Sequence, residues 1–190
     1  MRSLAIIPAR AGSKRLPGKN REMVGGVPMW RRAVDCAIDA HMQQIALVTD
    51  DEEIAAQAAK IPKVRVLTEP AEIAGDTVPM REVLMFAVPR CEATDAVVLL
   101  QPTSPLRTAD DVGECFRIWK LSGCDSVVSL RDAGEHRYER NGAVYITRPS
   151  LVRKGEIVGG WTQFYVMPPE RSVDVDTAED LAEARRFAGG

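Results

Sequence analysis

Leu4-Ala5-Ile6-Ile7-Pro8-Ala9-Arg10-Ala11-Gly12-Ser13-Lys14-Arg15-Leu16-Pro17-Gly18-Lys19-Asn20 decides how the rest of the chain is read. Its first four residues form a continuous apolar run, the pattern of a strand buried on both faces. Four cationic side chains, two glycines and two prolines fall in the quoted stretch, with no acidic residue before Glu22. Such a loop gathers positive charge and backbone N–H groups at the carboxyl end of a strand, where open α/β sheets hold their ligands. Polyphosphate is the ligand that suits it; a solvated basic loop is the plainer alternative.

Neither common phosphate fingerprint is present. A Walker A loop needs four residues between its glycines and a Ser or Thr after its Lys. Gly12 and Gly18 have five between them, and Asn20 follows Lys19. The dinucleotide pattern G-x-G-x-x-G is also absent, so the ATPase and dehydrogenase readings lose their main support.

Outward from the loop, apolar strands and amphipathic helices alternate. Trp30, Val34, Ala37 and Ile38 share a helical face, and 44–49 reads as a strand. Asp50 is placed as the cap of a following helix, with Glu53 as its capping-box partner. A short strand at 64–67 precedes a helical stripe of Met80, Val83, Leu84 and Ala87. Ala96–Leu100 is a second continuous apolar run, expected at the centre of the sheet. Thr108, with Asp111, caps a helix whose stripe is Val112, Cys115, Phe116 and Trp119. Strands are expected at 126–130, 143–146 and 163–167, and Thr177 with Asp180 caps a last helix. The fold class that follows is α/β: a mostly parallel, Rossmann-like sheet with helices on both faces. Residues 131–172 depart from the alternation and read as a small antiparallel insertion within a single domain, 1–190.

Composition narrows the function. With 190 residues and a formal charge of −2, broad electrostatic binding to nucleic acid is disfavoured. The basic character is confined to residues 10–21, which suits a small anionic ligand. No apolar run approaches a membrane span, and the N-terminus lacks a signal-peptide pattern. Cys36, Cys91, Cys115 and Cys124 have no C-x-x-C spacing, which argues against structural zinc and for reduced thiols in a cytoplasmic protein.

Three further constellations fall at strand ends. Gln101-Pro102-Thr103-Ser104-Pro105-Leu106-Arg107 reads equally as a polar ligand-binding segment and as a proline turn. Asp174-Val175-Asp176 would place two carboxylates on one side of a strand, a natural Mg²⁺ site beside bound phosphates. Support of a helix N-terminus is the alternative. Asn141-Gly142, taken alone, signals a turn. A basic loop, an acidic pair and a polar strand end together form a layout for nucleotidyl transfer, in which an acceptor oxygen attacks an α-phosphorus and pyrophosphate leaves.

These segments resemble the acylneuraminate cytidylyltransferases, the CMP-sialic acid synthetase-like family. The resemblance covers nearly the whole chain in five ordered blocks. They are 7–14 with 17–20, Thr49-Asp50-Asp51-Glu52-Glu53-Ile54-Ala55, Leu100–Arg107, Asn141–Ile146 and Asp174–Thr177. It implies a nucleotide-diphosphosugar transferase fold, often dimeric. It also implies CTP and a small anionic acceptor as ligands, Mg²⁺ as cofactor, and no nucleic-acid or membrane partner.

Residue by residue, the resemblance implies Arg10, Lys19 and Asp176 in catalysis. Ala9, Arg10, Ala11, Gly12, Ser13, Lys14, Lys19, Asn20 and Asp76 would bind the nucleotide. Gln101, Ser104, Arg107 and Asn141 would bind the acceptor, and Asp174 and Asp176 the metal. Two departures stand out. Glu69 occupies the place of an arginine that helps read the base, reversing the charge. Only residues 132–140 separate the strand at 126–130 from Asn141, a shorter stretch than the family carries through its dimer and acceptor region. An acceptor of the 3-deoxy-2-ulosonic or sialic type is expected, with a small phosphonate as alternative. A non-catalytic nucleotide-binding relative is the competing class.

Overall fold

The computed structural model describes residues 1–13, 15–75 and 78–189; the expectations for Lys14 and Asp76 fall outside them. In chain order the strands are β1 (Ser3–Pro8), β2 (Met23–Val24), β3 (Val27–Pro28), β4 (Gln44–Thr49) and β5 (Val64–Thr68), then β6 (Ala96–Leu99), β7 (Ser126–Asp132), β8 (Tyr138–Thr147) and β9 (Thr162–Val166). The helices are α1 (Met29–Asp39), α2 (Glu52–Ala58), α3 (Met80–Ala87), α4 (Ala109–Ser122), α5 (Pro149–Val152) and α6 (Ala178–Phe187). Seven strands form one sheet in the order β5-β4-β1-β6-β8-β7-β9. Strands β5, β4, β1 and β6 pair in parallel, β8 runs antiparallel to β6 and β7, and β9 is parallel to β7.

Strand β1 shows why the apolar runs become central strands. Ala5 and Ile7 pack on one face with Trp30, Val34 and Ala37 of α1 and Val112, Cys115 and Phe116 of α4. Leu4 and Ile6 pack on the other with Val83, Leu84 and Ala87 of α3. A strand covered by helices on both sides must be apolar at every position. A third cluster joins Val24, Met29, Leu106, Val173, Val175, Leu181 and Ala184, and so seats α6 against the β2–β3 hairpin and α1. All four cysteines are free thiols, three of them buried.

Three local expectations are corrected. The cap of α2 is Asp51, whose carboxylate accepts from the Glu53 and Ile54 amides. Asp50 is drawn off instead to the loop after β1, where it accepts from the Ala11 amide at 2.6 Å. Asn141-Gly142 lies inside β8 and is not a turn: the β7–β8 register shifts between Val128 and Leu130, and Gly142 takes φ +73° there. Residues 172–176 form no strand, yet the carboxylates still share a side. Val173 and Val175 turn into the third cluster, which leaves Asp174 and Asp176 facing the other way. The antiparallel character expected within 131–172 is that of β8, which runs antiparallel to β6 and β7 in the main sheet. Among the described residues a second, small antiparallel sheet is the β2–β3 hairpin, which follows the basic loop.

Candidate active site

The carboxyl ends of β1, β5 and β6 open into a cleft of about 270 Å³. Arg10, Gly12, Ser13, Lys19, Asn20, Glu69, Gln101, Thr103, Asp174 and Asp176 line it, with Pro8, Val78, Met80 and Val83 as apolar wall. The basic loop reaches this position because it is tied down at several points. The Ala9 amide donates to the Val48 carbonyl at 2.8 Å, and the Thr49 hydroxyl donates to the Ala9 carbonyl at 2.6 Å. Asn20, buried, donates its amide to the Arg10 carbonyl at 2.8 Å. Gly18 adopts φ +69°, a left-handed turn that starts the short helix Lys19–Arg21 and aims Lys19 inward.

The acidic segment comes from the far end of the chain. Lys19 Nζ lies 2.9 Å from Asp176 Oδ1, and Arg15 lies 2.9 Å from Asp176 Oδ2. The Val175 amide donates to the Thr103 carbonyl at 2.7 Å, pinning this segment to the turn after β6. The Thr177–Asp180 capping box fixes its other end: both the Asp176 and Thr177 amides donate to Asp180 Oδ2. Asp174 Oδ1 is enclosed without a hydrogen-bond partner. Burial raises the pKa of Asp174, a hydrogen bond from Thr103 opposes that shift, and the charge on Asp176 adds to it.

Gln101 meets Asp174 over Gly142. A Cβ at position 142 would lie 2.9 Å from Gln101 Oε1 and 3.3 Å from Asp174 Oδ2. The missing side chain is what lets the two polar groups converge. Of the four residues expected to hold the acceptor, Gln101 alone lines the cleft. The other three do not line it: each is buried and bonded within the wall. Arg107 donates to the carbonyls of Gln101 at 3.1 Å and Ala143 at 2.7 Å. Ser104 donates to the Asn141 carbonyl at 3.2 Å. Asn141 accepts from Ser129 at 2.6 Å and donates to Ser172 at 3.2 Å, joining β8 to β7 and to the approach of the acidic segment. They position the wall that carries Gln101 and Asp174. Ala9 is likewise a core residue beneath the loop.

Sequence reasoning missed Asp50 as the anchor of Ala11, and Thr103 as partner of the acidic segment. The Gln101–Arg107 motif contained Thr103, but nothing local separates it from Ser104. Met80 and Val83 were expected as helix core; both also wall the cleft.

A second groove of about 450 Å³ shares Met80 and Gln101 with the first and continues past Arg81, Arg140 and Tyr145 to 155–158. Burial raises the pKa of the Tyr145 hydroxyl, with Arg140 opposing and Asp174 adding to the shift. Two arginines beside Gln101 suit an anionic second ligand.

A family model described as cytidylyltransferase matches residues 4–147. The CMP-N,N'-diacetyllegionaminic acid synthase of Legionella pneumophila is 30% identical over 200 residues, covering 98% of this chain and 83% of that protein. The N-acylneuraminate cytidylyltransferase of Streptococcus agalactiae is 28% identical over 214 residues, covering 95% of this chain. This chain spans only 52% of that streptococcal relative. Among solved structures, a CMP:2-keto-3-deoxy-manno-octonic acid synthetase complexed with CTP superposes with a TM-score of 0.75 at 16% identity, covering 98% of both chains. That likeness is one of fold.

Proposed function

The chain belongs to the cytidylyltransferase family, and we propose that it transfers CMP from CTP to a hydroxyl of a 3-deoxy-2-ulosonic or sialic-type sugar acid, releasing pyrophosphate. The observation that carries this reading is the meeting of Lys19 with Asp176, beside Asp174 and Gln101, in one cleft, with Arg15 pairing Asp176 from the exposed side. The relatives' names support the acceptor class, and the groove lined by Arg81 and Arg140 is where its carboxylate would bind.

In the proposed reaction, Lys19 and Arg15 exchange Asp176 for phosphate oxygens when the triphosphate enters. Asp176 is thereby released beside the acceptor. The acceptor oxygen forms a bond to the α-phosphorus, the bond from that phosphorus to the β-bridging oxygen breaks, and Asp176 takes the acceptor proton. Gln101 orients the acceptor. The donor set fits Mg²⁺: an enclosed, unpartnered Asp174 oxygen and a neighbouring carboxylate match an ion bound by one or two carboxylates plus substrate phosphates. When bound, Mg²⁺ would neutralise phosphate charge and acidify the attacking hydroxyl.

A homodimer belongs to the same proposal. Edge strand β9 exposes Phe164 and Val166, with Trp161 and Tyr138 also exposed, a surface that a second copy would cover. Sedimentation velocity checks it: a monomer at all concentrations removes the dimer. Among the described residues no helix is long and apolar enough to cross a membrane.

A matrix of CTP, UTP, GTP and ATP against ulosonic acids, sialic acids and small phosphonates, read by pyrophosphate release with and without Mg²⁺, tests the function. Turnover of CTP with a sugar acid supports it. Turnover confined to phosphonates replaces the acceptor, a reading favoured by the short 133–137 connection between β7 and β8. Binding without turnover across the matrix removes the reaction.

A further inference from the structure

Glu69 is a buried acid that the proposed reaction does not use. It directly follows β5, is 5% exposed, and lines the cleft. Its Oε2 is enclosed with no hydrogen-bond partner. A carboxyl group held out of water and left unbonded is costly unless a ligand completes it.

Topology places Glu69 at the end of the cleft away from the chemistry. Gln101 follows β6, and β6 stands three strand positions from β5, roughly 14 Å at ordinary strand spacing. Asp174 lies on the Gln101 side, against Gly142. A nucleotide whose α-phosphate sits there must extend its base the other way. Apolar Val78, Met80 and Val83 line the same cleft and offer a surface to a ring. An acid repels the phosphates, and of the parts of a nucleoside the base reaches farthest from the α-phosphate, toward Glu69.

We propose, resting on the CTP reading above, that the Glu69 carboxyl group reads the nucleobase, donating its O–H to ring N3 of cytosine and accepting from the neighbouring exocyclic amine. A neutral carboxylic acid carries one donor beside one acceptor, and the hydrogen-bonding edge of cytosine presents the complementary acceptor and donor. A carboxylate carries acceptors alone and would face N3 with like polarity. Burial first, and the charge on Asp50 second, raise the pKa of Glu69 to about 7, against the opposing charge of Arg10. Asp50 and Arg10 are the charges that act on it most, and Lys19, Asp174 and Asp176 line the same cleft. Base reading therefore weakens as pH rises through neutrality.

The test compares CTP with 3-deazacytidine triphosphate, which keeps the amine and the phosphates but has C–H in place of N3. Calorimetric affinities are taken at pH 6 and pH 8.5. Because both ligands carry the same triphosphate, their affinity ratio cancels phosphate titration. The wild-type protein should prefer CTP by about tenfold at pH 6, the worth of one hydrogen bond, and lose that preference at pH 8.5. Glu69→Gln, whose amide presents a permanent donor beside an acceptor, should keep the preference at both pH values. Glu69→Ala should lack it at both. A wild-type ratio that does not change with pH overturns the assignment while leaving CTP binding intact. Failure of CTP to bind at either pH overturns the nucleotide reading and the assignment together.

Discussion

Gly142→Ala asks two things of one position at once. The backbone there is left-handed, which costs an L-residue of order 1 kcal/mol, and the new methyl would press on Gln101 and Asp174. The expected outcome is a stability loss of about 1–3 kcal/mol and a fall in kcat at least tenfold, measured by denaturant unfolding and pyrophosphate release. Unchanged kcat would detach Gln101 and Asp174 from the chemistry. Asp176→Asn removes the proposed proton acceptor and both of its ion pairs. Turnover should drop by about 10² to 10⁴, while CTP affinity holds or tightens because Lys19 and Arg15 no longer have a carboxylate competing for them. Wild-type turnover in this variant would remove Asp176 from the mechanism. The sequence made Asp174 and Asp176 visible as alternating carboxylates, but it offered Asn141-Gly142 as a turn. What distinguishes a turn glycine from one that clears space for Gln101 is a contact 41 residues away in the chain, which no local pattern encodes.

At the scale of elements, the caps divide along the same line. Thr108–Asp111 and Thr177–Asp180 are capping boxes as read, because both partners lie within one turn and bond each other's backbone. Asp50 and Asp51 are equally good caps on local grounds. The choice went to Asp51 because Asp50 has a distant partner in the Ala11 amide. The box at the start of α6 also holds the acidic segment, through the bond from the Asp176 amide to Asp180. Thr177→Ala should therefore cost about 1 kcal/mol, a fall of roughly 2–4 °C in Tm for a chain this size. It should also lower kcat with little change in the KM for CTP. A loss of stability with kcat untouched would make the box structural only.

The whole molecule carries a pH signature. Glu69 is held near 7 when folded and returns to the ordinary carboxylate range when unfolded. Its folded pKa is raised, so the folded state binds more protons between those values. The stability it contributes is full below about 4.5 and is lost as pH rises through about 7. Asp174, also raised, acts in the same direction. Glu69→Gln, which cannot ionise, should match the wild type near pH 4.5. By pH 8 it should be more stable by about 1–3 kcal/mol, or roughly 3–9 °C in Tm. Thermal melts across that range check the sign: a Tm difference that stays flat with pH would mean Glu69 is not proton-linked to folding.

By itself the sequence determined the alternation of β and α elements, the central strands and the basic loop after the first of them. Those depend on apolar runs, helical stripes and capping residues that act within a few residues of one another. The tertiary structure decided that Lys19 meets Asp176 across 157 positions. It turned Ser104, Arg107 and Asn141 inward to the wall, and it left one oxygen of Glu69 enclosed and unpartnered in the cleft. The reason is that a site's charges are compensated through space. Which cation faces which carboxylate, and which buried acid is left for a ligand, is set only when strand order brings distant loops to one end of the sheet.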